Sequence, residues 1–99
     1  MSTDKPHLIR LDNQEIRVID RKLVLGRHPG CSYVISINDK QIGVSGRHAA
    51  VDVAGDIAWI EDLGSTNGTY VGSSRIYQAT AIQLGTQVRI GKTILELRK

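Results

Sequence analysis

The sequence is poor in the residues that disulfides, zinc sites and aromatic binding platforms require. Its 99 residues include one cysteine, one tryptophan, three tyrosines, two prolines and no phenylalanine. A single cysteine, Cys31, excludes an intrachain disulfide and a cysteine-rich zinc site, and it favours a reducing, cytoplasmic setting. We therefore expect no cofactor and no metal.

Long apolar runs are also absent. No stretch of about 18 apolar residues occurs, so the sequence predicts no transmembrane helix and no membrane partner. The first seven residues are polar and lack the apolar core of a secretory signal. We interpret residues 1–6 as a flexible lead-in and residues 7–99 as a single domain, since a chain of about 100 residues holds one core.

The net charge of +3 is compatible with an anionic partner but does not favour nucleic acid. Aromatic residues make up only 4% of the chain, so stacking platforms for bases are scarce. The basic residues are scattered along the chain among acidic ones rather than clustered: Arg10, Arg17, Arg21, Lys22, Arg75, Arg89 and Arg98.

Short apolar stretches rich in isoleucine and valine recur along the chain, and helical patterns are nearly absent. β-branched residues fit a pleated surface better than a helix. The strand-like stretches are residues 8–11, 16–19, 22–25, 33–37, 48–53, 57–63, 86–90 and 93–97. Three hairpin turns are predicted between them, at residues 12–14, 54–56 and 91–92. Short strands with frequent turns favour an all-β antiparallel sandwich, with a barrel as the alternative.

Inward and outward positions follow from the alternation in these strands. In the last hairpin, polar residues (Gln87, Arg89 and Glu96) alternate with apolar residues that are predicted to face inward. These apolar residues are Val88, Ile90, Ile94, Leu95 and Leu97. Trp59 is assigned to the core and Cys31 to a loop.

The polar loops carry groups that suit a phosphate on a peptide. They comprise residues 28–32, 38–47, 64–68 and 72–74. Arg27, at the end of a strand, offers a planar fork for two phosphate oxygens. Loop hydroxyls and backbone N–H groups can bond the remaining oxygens, and an asparagine can donate to and accept from a peptide backbone.

Three motifs follow one another along the chain: Gly26-Arg27, then Ser45 followed by His48, then residues 64–69 (Gly-Ser-Thr-Asn-Gly-Thr). Their order and spacing resemble those of the forkhead-associated (FHA) domain. The resemblance covers nearly the whole chain, from about Leu8 to Arg98, with the motifs between Gly26 and Gly72. It implies a β-sandwich of about 11 strands, with ligand loops at one end that bind phosphothreonine peptides. The implied partner is a protein phosphorylated on threonine by a Ser/Thr kinase, and the implied role is protein–protein interaction in signalling.

The resemblance also implies roles for individual residues. Arg27 matches the arginine that clamps the phosphate, and Ser45 matches the serine whose hydroxyl bonds it. Thr66 matches the residue that lines the phosphothreonine pocket, and Asn67 matches the asparagine that bonds the peptide backbone. The positions that shape the loops without contacting ligand are Gly26, His48 and Gly68.

Two positions depart from the family pattern. Gly46 follows the serine where the family often has a longer polar residue, so only its backbone N–H is left to bind phosphate. Arg47, one residue later, is a candidate to compensate. Gly43 lacks the side chain that helps some members read a residue after the phosphothreonine.

Two alternatives to a phosphothreonine reader follow from the same residues. A phosphate-independent adaptor or scaffold on the same fold would bind a partner whether or not it is phosphorylated, and the two glycines motivate it. A hydrolase built on Ser45 and His48 is disfavoured, because no acid stands at a triad spacing and no nucleophile-elbow pattern occurs. We therefore expect no enzyme activity.

Overall fold

Every regular element that the structure describes is a β-strand. The structure is a computed structural model that describes residues 5–34, 44–54 and 57–99. The strands are β1 (His7–Arg10), β2 (Ile16–Val18), β3 (Leu23–Gly26), β4 (Tyr33–Val34), β5 (Ala49–Ala54), β6 (Ile57–Asp62), β7 (Thr69–Val71), β8 (Ser74–Ile76), β9 (Thr80–Ile82), β10 (Gln87–Ile90) and β11 (Thr93–Arg98). The all-β prediction is confirmed, and no helix in these ranges is long and apolar enough to cross a membrane.

Two sheets form the sandwich. The six-stranded sheet has the order β2-β1-β11-β10-β7-β8, and the five-stranded sheet has the order β4-β3-β5-β6-β9. Pairing is antiparallel in both sheets, apart from β3 and β4, which run parallel. Three of the sheet pairings are the hairpins expected from turn residues: β1 with β2, β5 with β6, and β10 with β11.

The core between the sheets is built from alternate residues of each strand. Val88, Ile90, Leu95 and Leu97 are all buried, as the alternation predicts. The prediction that Ile94 also faces the core is wrong, since Ile94 is 36% exposed. Consecutive residues of a strand face opposite sides, and Leu95 faces inward. Thr93 takes the inward position and is 1% exposed.

The assignment of Trp59 to the core is also wrong. Trp59 is 40% exposed on the outer face of the five-stranded sheet. Its neighbours Ala58 and Ile60 are buried, so the period of two directs the indole outward. Cys31 lies outside the strands, as expected, and its side chain is buried.

Strands β7, β8 and β9, of three residues each, were not among the predicted stretches. The stretch predicted at 33–37 forms β4 at its first two residues. Residues 35–37 and Gly43 lie outside the described ranges, as do residues 1–4 of the predicted lead-in and Gly55-Asp56 of the predicted turn.

Strand register brings three loops to one end of the sandwich. The end of β3 pairs with the start of β5, Leu25 opposite Ala49. The start of β5 pairs with the end of β6, Ala49 opposite Asp62. The residue after β3, the loop before β5 and the loop after β6 therefore begin side by side. Rigid strands hold these loops, which is a common arrangement for binding sites.

Candidate functional site

The first two sequence motifs are joined by backbone hydrogen bonds. The Arg27 N–H donates to the Ser45 carbonyl at 3.1 Å, and the His28 N–H donates to the Gly46 carbonyl at 3.0 Å. Gly26 makes this approach possible, since a Cβ at Gly26 would lie 2.0 Å from the Gly46 oxygen. Any side chain there would push the Ser45 loop away from Arg27.

The second and third motifs are joined by the Ser45 side chain. The Ser45 hydroxyl accepts a hydrogen bond from the Thr66 N–H at 3.1 Å. A hydroxyl that accepts one hydrogen bond still has its own proton to donate. Ser45 therefore positions the Thr66 loop and keeps a donor for a bound anion.

Arg27 is held by one of its guanidinium nitrogens. Its Nε donates to the Val44 carbonyl, and the residue as a whole is exposed. No carboxylate of the described residues lies within ion-pair distance of this guanidinium. Within the described ranges neither terminal nitrogen has a hydrogen-bond partner, which is the arrangement that a bidentate contact with phosphate requires.

The other predicted ligand groups are exposed at the same end. The side chains of Arg47, Thr66 and Asn67 are exposed and make no hydrogen bond to any described residue. Within the described ranges the Gly46 N–H has no acceptor, while its carbonyl accepts from His28 and from the Cys31 thiol. The loops thus present one guanidinium fork, a second arginine, two hydroxyls, a carboxamide and a backbone donor.

His48 links the loops from beneath. The side chain is fully buried, its Nδ1 accepts from the Ser45 N–H at 3.0 Å, and its Nε2 lies 2.8 Å from the Gly68 carbonyl. The ring must be neutral with its proton on Nε2 to make both bonds. It bonds the backbone of Ser45 and not the hydroxyl, so the two side chains do not form the nucleophile–base pair of a hydrolase.

The charge state of His48 follows from its burial. Burial lowers the pKa of His48 below its usual 6.5. The Gly68 carbonyl and the Asp62 carboxylate both act to raise this pKa, but their effect is smaller than that of burial. A histidine that must be neutral in the folded state contributes stability above the unfolded pKa of 6.5. That contribution is lost as the pH falls below 6.5 towards the lower pKa that His48 has in the folded protein.

We therefore expect the free energy of unfolding to fall between about pH 7.5 and about pH 5.5. Urea unfolding across that range measures the slope, and NMR of the His48 ring follows its protonation directly. His28→Gln is the control, because His28 is exposed and that variant should keep the slope. A His48 ring that becomes charged above pH 6.5 with no loss of stability would contradict this role.

Asp62, at the end of β6, organises the third loop and was missed as a site residue. Its carboxylate accepts from the backbone N–H groups of Gly64 and Ser65, both at 3.0 Å. It also accepts from the Ser65 hydroxyl and, at 2.7 Å, from the Thr69 hydroxyl. Burial alone would raise the pKa of Asp62, but these bonds outweigh it and hold the pKa below 3.8. The spacing of Asp62 and Ser65 is the available sequence signal, since aspartate bonds nearby backbone in turns.

Gly68 completes the third loop. Its N–H donates to the Ser65 hydroxyl at 3.0 Å, and its φ of 90° is one that other residues rarely adopt. The bonds through Asp62, Ser65, Gly68 and His48 form one network that reaches the Ser45 backbone. The described residues include no group of three or more side chains suited to hold a metal ion.

Comparison with known proteins identifies the same family that the motifs suggested. A family model described as the FHA domain matches residues 23–91. The FHA domain-containing protein FhaB of Mycobacterium tuberculosis is 36% identical over 88 residues, which are 89% of this chain and 54% of FhaB. The chain thus spans about half the length of that relative.

Solved structures share the fold. A structure from a study of phosphothreonine-dependent FHA domain interactions is 25% identical, has a TM-score of 0.85 and covers 96% of both chains. The FHA domain of the CT664 protein of Chlamydia trachomatis is 24% identical, with a TM-score of 0.87 over 96% of this chain and 97% of that one. The sandwich of 11 strands is therefore confirmed.

Proposed function

Because the chain belongs to the FHA domain family, we propose that its loop end binds phosphothreonine in a partner protein. The proposal includes a signalling role, in which a Ser/Thr kinase creates the ligand and the domain then recruits the phosphorylated partner. A phosphate supplies charge and three strong acceptor oxygens, so phosphorylation is suited to act as the switch.

The observation that carries the proposal is the bond between the Ser45 hydroxyl and the Thr66 N–H. This bond holds the loop of Ser45, Gly46 and Arg47 against the loop of Thr66 and Asn67. A backbone hydrogen bond holds Arg27 to the first of these loops. In the proposed complex, Arg27 clamps two phosphate oxygens and the Ser45 hydroxyl donates to the phosphate. The Gly46 N–H and the Arg47 side chain add further donors, Thr66 lines the pocket and Asn67 bonds the peptide backbone.

The number of free donors sets the expected affinity. Hydrogen bonds to a charged group contribute roughly 1.5–3 kcal/mol each. A few such bonds, less the cost of ordering peptide and loops, correspond to about −8 kcal/mol, or a Kd of order micromolar. Threonine is favoured over serine because its methyl group is buried, which is worth about 0.8 kcal/mol for one carbon, and more if the methyl also fixes the rotamer.

Calorimetric titration with three matched peptide libraries tests the proposal. The libraries have phosphothreonine, phosphoserine or unmodified threonine at one fixed position and mixed residues around it. We expect binding to the phosphothreonine pool, weaker binding to the phosphoserine pool and none to the unmodified pool. Equal affinity for the phosphorylated and unmodified pools would instead favour the phosphate-independent adaptor.

A further inference from the structure

A row of four side chains crosses the outer face of the six-stranded sheet at its loop end. Tyr70 of β7 is paired with Arg75 of β8 on one side and with Arg89 of β10 on the other. Arg89 is in turn paired with Ile94 of β11. The residues next to them in each strand, Thr69, Ile76, Ile90 and Thr93, are buried, so this row faces outward.

The two arginines of the row are far apart in the sequence, and the sheet places them on the two strands that flank Tyr70. The Arg89 guanidinium lies over the Tyr70 ring, with Cζ 4.2 Å from the centroid, and its Nη1 donates to the Gly91 carbonyl at 3.0 Å. The Arg75 guanidinium lies 5.4 Å from the centroid of Tyr77, which is 82% exposed. Both arginines are thus held near the sheet surface rather than extended into solvent.

Neither arginine of the row is neutralised within the described part of the chain. The five ion pairs found there belong to Arg10, Arg17, Arg21, Lys22 and Arg98. Arg98 is on the same outer face at the far end of β11, and it pairs with Glu96 at 3.0 Å. Of these three arginines on the outer face, the two without a carboxylate partner among the described residues, Arg75 and Arg89, therefore lie at the end of the sandwich that carries the loops.

The row is continuous with the proposed phosphothreonine site. A Cβ at Gly68 would lie 2.5 Å from the Arg75 Nε, so the Arg75 side chain rests on the backbone of Gly68. Asn67, which we propose to bond the peptide backbone, is the preceding residue. A peptide held by Asn67 thus has Arg75 beside it, and Arg89 lies farther along the row.

We infer that the row Arg75–Tyr70–Arg89–Ile94 docks an acidic segment of the phosphorylated partner, beside the phosphothreonine. This inference rests on the proposed function. Strands in a sheet are about 4.8 Å apart, so the backbones of Arg75 and Arg89 are about 10 Å apart across β7. A peptide in the polyproline II conformation has three residues per turn and rises about 3.1 Å per residue, so acidic side chains three residues apart lie on one side of it, about 9 Å apart, and match the two arginines.

A protein segment fits the row better than a nucleic acid does. Binding to nucleic acid depends on neutralising many phosphates, roughly 6–10 in a protein with a steep salt dependence, whereas the row offers two arginines. Ile94 at its end is an apolar surface that contacts a side chain more favourably than a phosphate backbone. The occupant is therefore an acidic peptide segment, with aspartate or glutamate on one side of the phosphothreonine.

Fluorescence anisotropy with three phosphothreonine peptides tests the inference. One peptide carries two aspartates three residues apart before the phosphothreonine, the second carries them after it, and the third has asparagine at all four positions. We expect one of the two acidic peptides to bind the wild-type protein about 5-fold more tightly than the asparagine peptide at low salt. This gain should shrink at about 0.5 M salt, where exposed charges are screened.

The double variant Arg75→Gln, Arg89→Gln should lose the gain and bind the asparagine peptide as the wild type does. Arg98→Gln is the matched control, since it removes an arginine from the same face at the far end and should keep the gain. Equal binding of all three peptides by the wild type would overturn the inference and leave the proposed function standing. No binding of any phosphothreonine peptide would overturn both. Tighter binding to a single-stranded oligonucleotide that the double variant loses would assign the row to nucleic acid instead.

Discussion

Arg27→Ala is expected to reduce binding of a phosphothreonine peptide by at least about 100-fold. The alanine variant loses two charge-assisted hydrogen bonds to the phosphate, worth roughly 3–6 kcal/mol together. The Kd of a micromolar complex would then rise to at least about 0.1 mM, or binding would not be measurable. Calorimetry with the same peptide on both proteins measures the change.

The loss in this variant should be confined to binding. Its fold loses the single bond from Arg27 Nε to the Val44 carbonyl, at a cost of about 1 kcal/mol. Arg27→Lys keeps the charge without the planar fork, so its affinity should lie between those of the wild type and the alanine variant. Arg98→Ala, remote from the loops, is the charge control. An Arg27→Ala protein that binds within a few-fold of the wild type would refute the assigned clamp.

Asp62→Ala is expected to lower the free energy of unfolding by about 3–5 kcal/mol. The variant removes the acceptor of two backbone donors and two hydroxyls. Thr69 is fully buried, so its hydroxyl would be left without a partner, and hydrogen bonds to a charged group are among the stronger ones. A small domain has about 5–15 kcal/mol of stability in total, so urea unfolding should show a large shift.

Asp52→Ala is the control for this variant. Asp52 is exposed on the neighbouring strand β5, and among the described residues its side chain accepts a hydrogen bond only from the Val53 N–H, at 2.8 Å. We expect its removal to change stability by less than about 0.5 kcal/mol. An Asp62→Ala loss as small as that expected for Asp52→Ala would mean that the Asp62 network does not hold the loop.

The pH dependence of the Asp62 contribution has a definite sign. The pKa of Asp62 in the folded protein lies below 3.8, so the Asp62 carboxylate stabilises the fold above pH 3.8. The contribution is lost as pH falls through the lower folded value. In the Asp62→Ala protein this acid-dependent part of the unfolding free energy should be absent. The loss linked to Asp62 begins only below pH 3.8, whereas the loss linked to His48 begins at about pH 6.5.

Alternation of apolar residues was enough to predict the longer strands and their hairpins. It was not enough to orient every residue, as Ile94 and Trp59 show. Both are large and apolar, and each stands beside a residue that faces inward, so burial of the neighbour decides their direction. Threonine at 93 fills the buried position, which composition alone does not reveal.

Candidate site residues could be predicted where they stand within short sequence motifs. Residues that only the strand register brings together could not be predicted from the sequence. Arg27, Ser45 and Asn67 stand within short motifs, and the loops that hold them do lie together. Asp62 acts through four hydrogen bonds that need the folded loop, and only its spacing to Ser65 signals this. Arg75 and Arg89 are separated along the chain, and the register of β7, β8 and β10 alone places them beside Tyr70.

A two-dimensional NMR titration of the ¹⁵N-labelled protein with a phosphothreonine peptide tests directly whether the peptide binds at the loop end. The amide signals of Gly46, Thr66 and Asn67 should shift on binding, and those of Ile57 and Leu84, at the opposite end of the sandwich, should not. The unphosphorylated peptide should leave all of them in place. Shifts confined to the opposite end, or the same shifts with both peptides, would contradict a phosphothreonine site at these loops.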